Sequence, residues 1–180
     1  MNIFILDKDP IKAAQLQCDK HIVKMILESA QMLCTAHRVI DGYPDIRVRN
    51  GRSNKVFKLP DYRESLFYGA THRNHPCNVW VRQSLKNYKW LYDHFCALCD
   101  EYTHRYGKVH KSDEKLREAL CVAPTGIRGQ ELTEFKLAID REDCLCNDPV
   151  QAYRKYYQTK QDRFKMVWTN RAIPDWFRVA

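Results

Sequence analysis

From Pro10 to Ile40 the chain contains no glycine and no second proline. Over that stretch Ile22, Met25, Ile26, Ser29, Met32, Leu33 and Ala36 recur at steps of three and four residues, the spacing that lines one face of a helix. Asp9 is a good N-cap and Pro10 suits a first helical turn. The spacing therefore predicts one long first helix over about 10–40, entered behind the apolar peg Ile3-Phe4-Ile5-Leu6 and stopped by Asp41-Gly42-Tyr43-Pro44. A second breaker-free run, with Val81, Leu85, Tyr88, Leu91, Phe95, Leu98 and Tyr102 in helical phase, predicts a core helix over about 76–106. Asn74 or His75 would cap it and Gly107 would end it. A shorter helix is expected to open at Ser112, and a last one at Asp148-Pro149 that carries Tyr153, Tyr156, Tyr157, Phe164 and Trp168. The stretch from Pro44 to Pro60 lacks clear periodicity and reads as a basic surface loop, while 131–139 is ambiguous.

With 180 residues, six Gly, seven Pro, no repeat and no polar linker, the expected fold is mainly α. It is expected to be a single domain over 1–180 around the two long helices, with a C-terminal aromatic and basic helix. The longest apolar run, Ile3 to Leu6, is too short for a membrane span or a signal-peptide core, so a soluble, cytoplasmic chain with no membrane partner is expected. In a reducing compartment the eight Cys are expected as buried thiols. Cys96-x-x-Cys99 and Cys144-x-Cys146 leave zinc as an alternative, but mid-helix Cys usually packs as a small apolar residue, so neither metal nor cofactor is expected. The sequence has no Gly-rich phosphate loop, no Gly-x-Ser-x-Gly and no His-Glu-x-x-His, which removes the commonest nucleotide hydrolase, serine hydrolase and zinc protease classes.

The net charge of +8 is unevenly spread. Residues 38–63 hold seven basic against three acidic side chains and 150–180 seven against two, while 111–149 hold six against nine. Basic zones mixed with aromatics suit a nucleic acid, because Lys and Arg displace phosphate counterions and flat rings stack on bases. A merely solvated positive face is the alternative.

Two constellations could carry chemistry. His21 and Glu28 are seven residues apart, so they share a helical phase to within about 20° and lie roughly 10 Å apart along the axis. Lys24 falls between them and Asp19 just upstream. A carboxylate and an imidazole on one rigid helix suit acid–base work or stabilisation of a cation, although Lys24 and Glu28 also make an ordinary i,i+4 pair. The second is Thr71-His72-Arg73-Asn74-His75-Pro76-Cys77, where a helix start with Arg73 and His75 nearby suits a phosphate or simply a hydrogen-bonded helix entry.

Asp19-x-His21 followed by Glu28 on a first helix close behind the N-terminus resembles the phage pyrimidine-dimer DNA glycosylase/AP-lyase family. So do His75 opening a central helix that carries Trp80, Tyr88 and Trp90, and the basic aromatic run Tyr153-Arg154-Lys155-Tyr156-Tyr157. The likeness covers 1–40, 72–107 and 148–177. It implies a DNA-acting enzyme of the repair type that cleaves or modifies a base or its glycosidic bond. Glu28 would be the essential carboxylate, His21 would assist it, and the attacking amine would be that of Asn2 once Met1 is removed. Asn2 is larger than the residues that favour removal, which makes Lys24 an alternative nucleophile. DNA would be held by Arg47, Arg49, Arg52, Arg73, His75, Arg82, Arg154, Lys155 and Tyr157. The resemblance also implies a monomer in a phage-infected bacterial host. A non-catalytic nucleic-acid-binding or host-modulating phage protein, and a DNA base-modifying transferase, are the other functions compatible with these residues.

Overall fold

The computed structural model describes residues 1–178, and the side chain of Arg49 lies outside the described residues. These residues form α1 (Pro10–Gln15), α2 (Asp19–Ile40), β1 (Tyr43–Arg49), β2 (Arg52–Lys58), α3 (Arg63–Leu66), α4 (Pro76–Val81), α5 (Leu85–Tyr106), α6 (Lys111–Leu120) and α7 (Pro149–Gln158). Short 3-10 turns span Glu142–Cys144 and Thr159–Asp162. The fold is mainly helical, as expected. Two 22-residue helices, α2 and α5, pack together, and α1 lies along α5.

Neither long helix is continuous. The first breaks at Leu16-Gln17-Cys18, where no breaker residue stands, because distant groups take over the freed amides. Cys18 N–H donates to the Tyr157 hydroxyl at 2.8 Å and Asp19 N–H to the Val167 carbonyl at 2.8 Å. The fully buried Gln17 donates to the Ile3 carbonyl at 3.3 Å. The second breaks at Arg82-Gln83-Ser84. Ser84 caps α5 by accepting from Asn87 N–H at 3.1 Å, and Leu85 N–H donates to Gly129 O at 2.8 Å. A side chain at 129 would collide with the Gln83 carbonyl, so the bridge between Ser84 and Gly129 requires glycine there. His75 caps α4 and Gly107, at φ 63°, ends α5, both as the sequence predicts. Two expectations need correction. α6 is capped by His110 rather than opened at Ser112, and α7 stops at Gln158, short of Phe164 and Trp168.

The basic loop is in fact a β-hairpin, β1 pairing antiparallel with β2 from Tyr43↔Lys58 to Arg49↔Arg52. Asn50 and Gly51 sit at φ 50° and 72°, the two left-handed residues of a tight hairpin turn. Its base is held by Arg38, which is buried on α2. Arg38 donates to the carbonyls of Phe57 (2.9 Å) and Tyr68 (2.7 Å) and to the Glu64 carboxylate (2.5 Å). The C-terminal basic zone instead packs beside the start of α2, through Tyr157 on Cys18 and Thr169 on Asp19. The two zones thus sit toward opposite ends of a helix about 33 Å long.

Three imidazoles in this core, His21, His37 and His94, are each pushed down to about 4, burial being the main cause. In the unfolded chain they protonate near 6.5. Between those values the unfolded state binds more protons, so stability is full above about 6.5 and falls as pH drops toward 4. Urea unfolding followed from neutral pH down to about 4.5 should show a steadily falling midpoint, with proton uptake on unfolding approaching one per imidazole. A midpoint that stays flat across this window would mean that the imidazoles are not buried neutral.

Candidate active site

The site grows from the apolar peg. Burying Ile3, Ile5 and Leu6 draws the start of the chain across α2. Phe4 takes a left-handed backbone at φ 58°, a costly conformation for an aromatic residue. Its ring is packed 4.7 Å from His21 and 5.2 Å from Tyr157, centroid to centroid. Ahead of it the Asn2 carboxamide is held at both ends. Its Oδ1 accepts Ile3 N–H at 2.8 Å and Phe4 N–H at 3.2 Å, while Nδ2 donates to Ala138 O at 2.8 Å. The Asn2 backbone nitrogen is thereby directed at α2, where it donates to Glu28 Oε2 at 2.9 Å.

Glu28 gathers nitrogen from three residues. The N-terminal nitrogen of Met1 is 3.8 Å from Oε2, and Nζ of the exposed Lys24 is 3.3 Å from Oε1. The carboxylate itself is only 12% exposed. α4 supplies the facing wall. His75 lies near enough that, after burial, the N-terminal amine is the next cause lowering its pKa, with Glu28 acting in the opposite sense. Cys77 is pushed up to about 12 by burial. Asn78, 1% exposed, donates to the carbonyls of Thr71 and His72 at 3.1 Å each and touches Met1 Sδ at 3.0 Å, while its Oδ1 has no hydrogen-bond partner among the described residues. Arg82 donates to Asn78 O at 3.1 Å, and its pKa is lowered by burial and by Arg73. The resulting assembly is an amine against a carboxylate, partly enclosed and rimmed by guanidinium groups. That arrangement suits nucleophilic attack by nitrogen and stabilisation of a developing positive charge.

Not every expected residue joins it. His21 shares the phase of Glu28 but is 7% exposed and meets different partners, the Tyr157 hydroxyl at 2.7 Å from Nδ1 and the rings of Phe4 and Phe164. Phe4 and Tyr157 thus cover the imidazole, which was expected to assist Glu28. Tyr157 is itself fully buried, so its phenol has no surface to offer DNA. Arg154 is engaged with Leu6 O at 2.9 Å, Asp7 at 3.7 Å and the Trp176 ring, which ties the peg to α7. Lys155, Arg73, Arg47 and Arg52 are exposed. Asp19 is a tether, held by Arg105 at 2.8 Å and Thr169 at 2.6 Å. Among the described residues no group of three or more His, Cys, Asp or Glu side chains is placed to hold a metal ion.

Two roles were missed from the sequence, that of Asn78 and that of the Asn2 side chain. Asn78 carried a usable signal, being a polar residue among the buried positions Cys77, Trp80 and Val81. Asn2 carried none, because its partner Ala138 is remote in the chain.

No curated protein and no solved structure matches the chain. The sequence profile of the family described as pyrimidine dimer DNA glycosylase matches residues 1–115. That span holds Met1, Asn2, Lys24, Glu28, His75, Asn78 and Arg82, while Ala138, which anchors the Asn2 carboxamide, lies outside it. A match over more than half of the 180 residues, containing the amine, the carboxylate and the basic rim together, identifies the chain as a member of the pyrimidine dimer DNA glycosylase family.

Proposed function

We propose that this protein is a DNA glycosylase with lyase activity whose nucleophile is the amine beside Glu28. The observation that carries the proposal is the 2.9 Å hydrogen bond from the Asn2 nitrogen to Glu28 Oε2. Removal of Met1 turns that nitrogen from an amide into a free amine, and while Met1 remains its own amine stands 3.8 Å from the same oxygen. The nitrogen lone pair bonds to C1′ of the deoxyribose as the bond from C1′ to the base breaks. The base departs with that electron pair and gains a proton, and the nitrogen loses one. Opening of the sugar then gives an imine. Loss of a C2′ proton expels the 3′ phosphate, and water releases the enzyme. Glu28 stabilises the cationic sugar as the base leaves, and Arg73, Arg82 and His75 hold flanking phosphates. Arg47 and Arg52 add positive charge on the hairpin, and Lys155 adds it toward the other end of α2. Asn78, whose Oδ1 beside Met1 has no partner among the described residues, is available to an incoming substrate group.

Borohydride reduces an imine to a stable secondary amine. Incubation with duplex DNA bearing an abasic site should therefore leave a covalent adduct, and mass spectrometry should find the sugar on the N-terminal peptide, on either Met1 or Asn2. An adduct on Lys24 would transfer the nucleophile to that side chain. Tight binding of the same duplex with no adduct would favour the non-catalytic DNA-binding function.

A further inference from the structure

We propose that the β1–β2 ribbon is an arm that enters a groove of duplex DNA beside the site. Ile46 and Val48 face the base edges, and Arg47 and Arg52 reach the phosphate ridges. The proposal rests on the glycosylase reading only in taking DNA as the partner. Strand pairing sorts the ribbon into two unlike faces. Pro44, Ile46 and Val48 share one with Phe57, Lys55 and Ser53, while Arg47 shares the other with Asn54, and Arg49 is opposite Arg52. Ile46 is 68% and Val48 66% exposed, an apolar pair two residues apart on one strand. Lys58 is taken up by Asp45 at 2.6 Å near the base of the ribbon. Towards the tip, Arg47 and Arg52 have no carboxylate partner among the described residues. Two exposed β-branched side chains on so basic an element suit a polyanion that also offers apolar surface, and a DNA groove offers both, including thymine methyl groups.

The dimensions agree. Seven residues per strand span about 23 Å, close to seven base-pair steps. A major groove about 12 Å wide admits a two-stranded ribbon, and its depth of about 8.5 Å leaves the outward face level with the phosphates. Arginines on that outward face then reach sideways to both ridges while Ile46 and Val48, with Lys55 and Ser53 opposite them, rest on the floor. The ribbon is also continuous with the site. Arg73 lies over the Phe57 ring at 5.3 Å and acts electrostatically on Arg82, which in turn donates to Asn78 O. A ribbon lodged in the groove would fix the position along the duplex at which the amine meets a sugar.

The test compares the wild-type chain with I46S/V48S and R47Q/R52Q for affinity to one duplex over a salt series and to its separated strand. Melting temperatures check that each variant folds. The apolar double variant should bind the duplex about tenfold more weakly, with an unchanged salt slope and less than about a twofold change on the single strand. I46T/V48T, which keeps branched side chains, should lie between. R47Q/R52Q should flatten the duplex salt slope by about two, near 0.9 per lost phosphate contact. Duplex binding by I46S/V48S within twofold of wild type, or an equal loss on the single strand, would overturn the proposal. Borohydride trapping of the wild type on an abasic single strand, run in parallel, separates the two failures. Trapping together with wild-type duplex binding by I46S/V48S overturns the arm and leaves the glycosylase standing.

Discussion

Glu28→Gln is expected to lower turnover on abasic or dimer-containing DNA by on the order of a thousandfold while leaving duplex affinity and melting temperature unchanged. The substitution keeps the shape of the side chain and an oxygen able to accept the Asn2 N–H now held at 2.9 Å. It removes the negative charge from a position only 12% exposed, where a charge acts more strongly on a cationic sugar than it would in water. A charge that matters only as the base departs lowers kcat rather than affinity. Lys24 is exposed at the rim, 3.3 Å from Oε1, so Lys24→Ala should cost far less unless Lys24 is the nucleophile. Equal turnover by Glu28→Gln and wild type on any accepted substrate would remove the proposed mechanism.

The second large effect is on stability. Arg105→Met is expected to destabilise the fold by about 3–5 kcal/mol, the cost of leaving a buried charge unpaired. The Arg105 side chain is fully buried and donates to Glu101 at 2.7 Å, Asp19 at 2.8 Å and Gln15 O at 3.1 Å, joining α5 to α1 and the start of α2. Among the described residues Glu101 would then keep Arg171 and Asp19 would keep Thr169. Burial alone would raise both carboxyl pKa values. The hydrogen bonds outweigh it, those from Thr169 and Arg105 at Asp19 and those from Arg171 and Arg105 at Glu101, and both pKa values end below the usual carboxylate range. This contribution is present above the unfolded carboxyl pKa, near 4, and is lost as pH falls through the lower folded values. Urea unfolding at neutral pH measures the change. A loss below about 1 kcal/mol would show that Arg105 is not needed to neutralise Glu101.

Helix type and most helix ends were legible because they depend on groups within four residues of one another. Asp9, His75, Gly107 and Asp148 each act on amides or a backbone angle of their own turn. The hairpin had a local signal as well, Asn50-Gly51 between Ile46, Val48 and Val56, but the surrounding arginines made it read as a loop. The break at 16–18 could not be read, since its amides find acceptors at Tyr157 and Val167.

The site divides along the same line. Helical phase put Glu28 on a usable face and the resemblance singled it out, yet phase gave His21 the same standing. Only the tertiary structure separates them, by seating Phe4 and Tyr157 on the imidazole and turning the carboxylate toward the chain start. The sequence by itself determined the helical character through spacings of a few residues, the basic zones through composition, and the candidate carboxylate through the resemblance. The Lys24 contact with that carboxylate was legible as an i,i+4 pair, but the approach of the chain-start nitrogens was decided only by burial of Ile3, Ile5 and Leu6 and by the Asn2 to Ala138 hydrogen bond. Those contacts join residues that are far apart along the chain, and no local periodicity encodes which of them will meet.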